Sequence, residues 1–532
     1  MADKTETLSG SSFVGDINSD SSVHAFDGHN GAPTVNKNTD APRALEAPEA
    51  LDVAPEDIDE EKLGVQGSQS SLRRVQTSFS FFNERLSGQR KRIVVNTVLI
   101  YALMGACILG VFSIYWGSSY QRQTRFPNLR MLVVIEDDVA VNGTDPVIGN
   151  AMRQLLQTPA ARELGNWMVQ NTTEFRKLAA DHGHDVFSEI QHQVHRQNYW
   201  TSIYVKPNAT VNLRNAIINA DSAYNVSYNS IVSFYETGRD MNSMTQYVTP
   251  HTQAIGRMFL GQQAHIVESL LGGVNTSQVF ANIDAVRVAT TPLAFTFIDA
   301  RPLTDDVLVA PLQVGLIYMI IVTFFGFNFF GDLHREVIRS RVKKWHLLTY
   351  RVVASISSFL FISLFFSLVT LAFQVDFTVA FGKSGFLVYW MTTFLTMCAV
   401  GSMNEMMAMV CIMFYPPLLG FWLLFWVISN IAATFNPIAL CPEFYRYTYA
   451  MPIHAAYEIN KVIFFDTYKG AMGRNYAILV IWAVLAITGM GAVFFPFKKT
   501  MGKRAVEERK KIEEELLASR AKDAEGRIQF EK

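Results

Sequence analysis

The sequence predicts an α-helical polytopic membrane protein with six transmembrane helices and a large α/β extracytoplasmic domain between the first and second. Three observations carry that expectation. Of 532 residues, 49% are hydrophobic and only 17% charged, against about 25% charged in a soluble domain. The apolar residues gather into blocks about 20 residues long, the length that crosses a bilayer. The long polar stretch between the first and second blocks holds every N-glycosylation sequon in the chain.

In chain order, residues 1–70 carry 14 acidic against 4 basic residues and few aromatics. That composition cannot bury enough apolar surface to offset its conformational entropy, and it predicts a disordered acidic cytosolic tail. The sign then reverses: 71–92 has 6 basic residues and one acid, with Leu72, Val75, Phe79, Phe82 and Leu86 near helical spacing. This predicts a basic amphipathic segment lying on anionic lipid. The predicted spans are 93–115, 311–331, 352–374, 385–412, 418–435 and 476–497. The fourth and fifth meet at Tyr415-Pro416-Pro417, where proline ends one helix and starts the next.

Orientation follows from the basic residues. The flank of the first span carries 6, the loop 332–351 carries 6 and the tail 498–532 carries 11. With six spans these three segments share one side, which the positive-inside rule makes the cytosol. Both termini are then cytosolic. The sequons at Asn142, Asn171, Asn208, Asn225 and Asn275 fall on the opposite face, where glycosylation takes place. Two unrelated rules thus give one topology, that of a eukaryotic secretory-pathway membrane protein, with the plasma membrane as its expected destination.

The segment 116–310 alternates element types: a strand run at 131–135, helical periodicity at 147–156, a strand at 200–205, a helix from 208 to 220, a β-rich run at 224–235, a long helical stretch at 241–271 broken at Pro250, and a strand at 286–297. The segment 436–475 mixes prolines and aromatics with short apolar runs, which predicts exterior or re-entrant helices.

The four cysteines, Cys107, Cys398, Cys411 and Cys441, show no paired spacing, so neither a disulfide framework nor a thiolate metal site is expected. Gly382-Lys383-Ser384 resembles the end of a phosphate loop, but Phe377 stands where the first glycine belongs. His182, His184, His192 and His195 cluster in sequence, yet no third ligand or carboxylate is fixed by spacing, and no metal or other cofactor is expected. No catalytic residue is assigned and no enzyme is expected. The expected partners are the lipid bilayer and either a separate ATPase or further copies of the chain. Nucleic acid is not among them.

Glu405 is the most informative polar group, because a carboxylate within a span is expensive and faces a bundle interior or a wet path. Asn404 beside it, Asn328 and Asn430 complete the transport-path candidates, with interhelical hydrogen bonding as the plainer alternative. Glu136-Asp137-Asp138 after a predicted strand reads as an exposed acidic turn, and Arg239 and Asp240 as a structural contact.

Several words of the sequence are similar to those of a known family: Pro127-Asn128-Leu129 through Asp138, Val205-Lys206-Pro207-Asn208-Ala209-Thr210, Tyr235-Glu236-Thr237-Gly238-Arg239-Asp240, Tyr449-Ala450-Met451-Pro452-Ile453-His454, and Gly473-Arg474-Asn475. On these the chain, from about 90 to 497, resembles the fungal nitrosoguanidine-resistance family of integral membrane proteins, related in plan to phage-infection-type proteins and ABC-transporter permeases. The resemblance implies one span, a large exterior domain and five further spans. It also implies a permease-like role in export of, or resistance to, toxic compounds, with lipid substrates included. The alternative is a non-transporting plasma-membrane scaffold organising lipids or partner proteins. The resemblance transfers no catalytic residue. A permease mechanism would draw energy from an ATPase docked near 72–92 and 332–351.

Overall fold

The computed structural model describes residues 81–82, 87–340 and 342–528. The predicted acidic tail at 1–70 and most of the segment at 71–92 lie outside the described residues. In chain order the main elements are α1 (Ser87–Ser119), β1 (Arg130–Ile135), α2 (Val147–Gln157), β2 (Asn166–Val169), α3 (Thr172–Asp181), α4 (Val186–His195), β3 (Ser202–Val205), α5 (Ala209–Ile218) and β4 (Ile231–Tyr235). Next come α6 (Thr249–Leu260), α7 (Gln263–Leu270), α8 (Ile283–Thr290), β5 (Thr296–Asp299), α9 (Gly315–Phe329) and α10 (Gly331–Arg339). The chain closes with α11 (Lys344–Ala372), α12 (Gly385–Phe414), α13 (Leu418–Ile431), α14 (Pro452–Phe465) and α15 (Met472–Ile528).

Between α1 and α9 the strands form one five-stranded sheet in the order β2-β1-β3-β4-β5. Pairing is parallel except at β3 and β4, which run antiparallel. Side chains alternate across a strand, so β1 feeds two cores. Val133 and Ile135 join Ile203, Val205, Leu213, Ile255 and Phe259 on one face, while Leu132 and Val134 meet Phe175, Ile190 and Tyr204 on the other. Burial on both faces explains why the strand reads as an unbroken apolar run.

Some local expectations need correction. The run at 286–297 is not one strand: Asn282 caps α8 through the Asp284 amide at 2.9 Å, and only Thr296–Asp299 is extended. Pro250 does not break the stretch 241–271, because it sits in the first turn of α6, where its missing N–H costs nothing. The break falls at Gly261-Gln262 instead. The run at 224–235 opens as a short helix, Val226–Ser230, under an Asn225 cap before β4 begins. Glu136 and Asp137 are buried rather than exposed. Glu136 accepts from Arg176 at 2.7 Å and Tyr204 at 2.5 Å, and Asp137 accepts from the Gly149 and Thr210 amides and the Thr210 hydroxyl, tying β1 to α2 and α5.

Among the described residues, five helical runs are long and apolar enough to cross a membrane: Ser87–Ser119, Asp306–Ile338, Lys344–Ala372, Thr378–Phe414 and Lys469–Glu514. The chain is a polytopic helical membrane protein. The stretch 332–351, expected as a loop, is mostly helix, since α10 continues the second run and α11 begins at Lys344. The segment expected as a span at 418–435 is the shorter helix α13, about 21 Å long at 1.5 Å per residue. It starts after Pro416-Pro417 at the Phe414 end of α12 and finishes near the Ser119 end of α1, where Tyr447 donates to the Ser429 carbonyl at 3.1 Å and Tyr445 donates to the Ile114 carbonyl at 2.6 Å.

Small residues let the helices approach. A Cβ on Gly401 of α12 would stand 2.5 Å from the Phe359 ring of α11 and 2.9 Å from Thr323 of α9. At the C-terminal end of α12, Arg504 of α15 donates to the Ile412 and Met413 carbonyls at 2.9 and 2.7 Å. It thereby satisfies two acceptors that a helix end leaves open.

Candidate functional site

Glu405 does not face an open path in this conformation. Its Oε2 accepts from the Arg351 guanidinium at 3.1 Å and from Ser355 Oγ at 2.8 Å. Arg351 and Ser355 lie one turn apart on α11, so both reach the same point on α12. The two charged side chains are each 7% exposed, and Arg351 also lies 5.5 Å from the centre of the Phe327 ring. Arg351 is seven residues into α11 and Glu405 nine residues from the end of α12, which puts the pair about 10 to 14 Å along each helix from that end. In the sequence Arg351 reads only as one of the basic residues of the stretch 332–351.

Asn404 faces the other side, donating to the Ile320 carbonyl at 3.0 Å and accepting from Trp422 at 3.3 Å, so it ties α12 to α9 and α13. Asn430 donates to the Trp426 carbonyl and accepts from the Ile453 amide at the start of α14. Asn328 lies on α9, and its side chain is outside the described residues. Glu405 and Asn404 are therefore neighbours in sequence with separate partners, and Asn430 belongs to another junction.

A second concentration of buried charge sits where the sheet domain meets α14. The word Tyr235 to Asp240 leaves β4 and runs against this helix, so closely that a Cβ on Gly238 would stand 2.6 Å from Phe465. Arg239 makes no ion pair with Asp240. It donates to the Tyr199 and Gln197 carbonyls and stacks 4.0 Å from the Trp200 ring centre, and burial pushes its pKa down to about 10. Asp240 instead caps the next helical turn through the Ser243 amide at 3.0 Å; burial raises its pKa, against the pull of Lys461.

From the membrane side, Lys461 Nζ donates to the Arg239 carbonyl at 2.7 Å and to Glu458 at 2.6 Å. Arg301 completes the seam, donating to Glu236 at 2.5 Å and to the Asp466 carbonyl at 2.7 Å. Nothing local in the sequence marks Lys461, Arg301 and Asp466, because only the fold brings them to one seam. Two adjoining hollows open beside this seam, about 420 Å³ and 340 Å³ in volume, and both are lined by His192 and His195.

The four clustered histidines separate into two groups. His195 reaches Glu236 at 3.1 Å, whereas His182, His184 and His192 gather beside Glu189. The five sequon asparagines are all exposed on the sheet domain. Asn171, Asn225 and Asn275 also cap helices, each side-chain oxygen accepting a backbone amide, a second physical reason for asparagine at those places.

A family model described as "protein of unknown function (DUF3533)" matches residues 100–488. The chain is 34% identical over 429 residues to YJR015W of Saccharomyces cerevisiae, described as an uncharacterized endoplasmic reticulum membrane protein. The alignment covers 79% of this chain and 82% of the yeast protein. No solved structure matches the chain.

Proposed function

We propose that this chain, which belongs to the DUF3533 family of membrane proteins, is a permease-like protein that exports toxic amphiphiles or handles lipids, with the Arg351–Glu405 pair as the element that opens during its cycle. The observation that carries this reading is the pair itself. Charges between spans cost several kcal/mol to desolvate, and apolar replacement is often neutral or stabilising, so stability alone is a poor reason to keep them. Two helices joined through one polar contact can alternate between paired and hydrated arrangements.

The reading takes α13 as a sixth span, supported by its path from the Phe414 end of α12 to the Ser119 end of α1. With six spans the sheet domain and its five sequons face the lumen, the basic segments face the cytosol, and the charge pair sits nearer the cytosolic side. The description of the yeast relative favours the endoplasmic reticulum over the plasma membrane as the site of action. Energy would come from an ion gradient or a separate ATPase, and no catalysis is assigned to the chain.

A second reading, a scaffold for lipids or partner proteins, is favoured by the hydrogen bonds that Asn404, Asn430 and Glu405 already make to neighbours within the protein. One experiment separates the two. Purified protein in liposomes is assayed for flux of a fluorescent amphiphile with and without a proton gradient, beside the Glu405→Gln variant at equal incorporation. Flux lost in the variant supports the permease, while absence of flux from the native protein under both conditions counts against self-sufficient transport and favours the scaffold or the ATPase-driven form.

A further inference from the structure

The turn joining α3 to α4 is built to converge imidazoles. His182 ends α3 and Gly183 follows at φ +73°, the left-handed conformation that glycine adopts without penalty. The Gly183 amide then donates to the Ala180 carbonyl at 3.0 Å and the His184 amide to the Ala179 carbonyl at 2.8 Å, the paired closure of a Schellman turn. His182 and His184 are thereby brought to one side of the connection. Asp185 caps α4 through the Ser188 amide, and this places Glu189 and His192, three residues apart, on one face of the helix.

Glu189 is fully buried and its Oε2 stands 2.9 Å from Nδ1 of both His182 and His184, while Gln193 donates to its other oxygen at 2.6 Å. A carboxylate only accepts, so both Nδ1 atoms carry a hydrogen, and a ring with one hydrogen keeps its lone pair on Nε2. No hydrogen bond to either Nε2 is seen among the described residues. A ring nitrogen of each of these two histidines and a Glu189 oxygen lie within 4.8 Å of one another. The three rings of His182, His184 and His192 stand 5.2 to 6.1 Å apart, centre to centre. Imidazoles bound through nitrogen at about 2.0–2.1 Å around a tetrahedral ion stand roughly 5 Å apart.

We propose that His182, His184 and His192 form a three-imidazole site for a zinc-class divalent transition metal, with Glu189 as the positioning residue behind it. A ligating histidine commonly hands its second ring N–H to a carboxylate, which fixes the tautomer and raises the basicity of the bound nitrogen. Imidazole suits zinc, copper and nickel and does not favour calcium or magnesium. Three protein ligands leave a fourth position for water or an anionic group. His184 and His192 line the 340 Å³ hollow that also contains Arg301, so such a group would enter from the seam with α14. The site is independent of the proposed transport path, and its failure would leave that reading intact.

The test uses the full-length chain in detergent, stripped with chelator and dialysed against zinc, with bound metal counted by mass spectrometry and coordination read from the visible spectrum of the cobalt form. One zinc per chain and a tetrahedral cobalt spectrum are expected. His184→Ala and His192→Ala should each lose the stoichiometric metal while keeping the native gel-filtration profile, and His265→Ala, at an exposed site on another helix, should retain it. Glu189→Gln should weaken binding about ten- to a hundredfold with unchanged cobalt band positions, as an orienting group requires. Failure of the native chain to retain zinc, or retention of one zinc by both histidine variants, would overturn the site; altered band positions in Glu189→Gln would overturn the positioning role.

Discussion

Breaking the Arg351–Glu405 pair from one side should cost far more than removing it whole. At 3.1 Å and an effective dielectric constant near 20, the attraction is about 5 kcal/mol, offset by a desolvation penalty of several kcal/mol per ion. Glu405→Gln keeps an acceptor for Ser355 but leaves the guanidinium buried with no counter-charge, and Arg351→Met leaves the carboxylate with the Ser355 hydroxyl alone. Each single change should destabilise the protein by about 3–5 kcal/mol, while the double change to methionine should come within about 1 kcal/mol of the native protein. The assay is a double-mutant cycle on purified protein in mixed micelles, unfolded with a denaturing detergent and followed by tryptophan fluorescence. The sharper comparison follows in liposomes, where the stable double variant should show no amphiphile flux if the pair opens during transport. Single variants within about 1 kcal/mol of native, with no coupling between them, would refute the energetic argument. Native flux in the double variant would refute the functional one.

Other outcomes follow from the same geometry. Lys461→Met removes the donor to the Arg239 carbonyl and strands Glu458, so the full chain should lose about 3 kcal/mol of stability, visible as earlier proteolysis of the sheet domain at rising temperature. Gly183→Ala forces a Cβ into the left-handed region at about 1–2 kcal/mol, although no atom stands within 4 Å of where that Cβ would project, and should lower the melting temperature and weaken zinc binding together. Thr173→Ala destroys one sequon but leaves the Asn171 cap, whereas Asn171→Gln removes both. Each should lose the same glycosidase-sensitive mass on a gel, and only the second should also lose about 1 kcal/mol of stability. Acidification should destabilise the metal-free α3–α4 region. Desolvation, opposed by Glu189 and reinforced by Arg196, holds the His192 pKa below its ordinary 6.5, so the unfolded chain takes up the proton first as pH falls through that value. Glu189, with a lowered pKa, adds a further loss at lower pH, as it is protonated. A melting temperature that falls from pH 7.5 to 5.5, less steeply in His192→Gln, is the expected result.

What the sequence made legible was whatever depends on period and length. The apolar blocks became the long helices, the run at 131–135 became β1, and the proline pair at 416–417 separated α12 from α13. The errors arose where local signals compete. A β-branched run such as Val286 and Val288 reads as strand until the Asn282 cap is recognised, and an acidic triplet reads as surface until Arg176, Tyr204 and Thr210 arrive from 40 to 73 residues away to satisfy it. Glu405 stood out because a carboxylate in an apolar block is costly wherever the helix packs. Its partner did not, because Arg351 falls at the boundary where basic residues normally face lipid headgroups. The same limit hid the metal candidate: His182, His184 and His192 are visible as a cluster, but the contact of the first two with Glu189 and the approach of the third to their rings depend on one left-handed glycine and one helix cap.

The seam at α14 then constrains how either proposed activity can operate. This helix is apolar enough to join the bundle core, through Ile453, Tyr457, Ile459 and Ile463, yet it carries Lys461 to the backbone of the sheet domain. Gly238 leaves no gap against Phe465, and Arg301 grips the Asp466 carbonyl where the helix ends. A displacement of α14 would therefore have to break charge-assisted hydrogen bonds on the sheet side or carry the β4 and β5 ends with it. Asn430 links the start of the same helix to α13, and α13 receives Asn404 through Trp422, one residue from Glu405. A contiguous set of contacts thus connects the hollows beside His192 to the charge pair in the bundle. Contiguity alone does not establish coupling, and the discriminating measurement is amphiphile flux in Lys461→Met with and without bound zinc: a zinc effect on native flux that disappears in the variant requires α14 to transmit it, and an effect that persists requires another route.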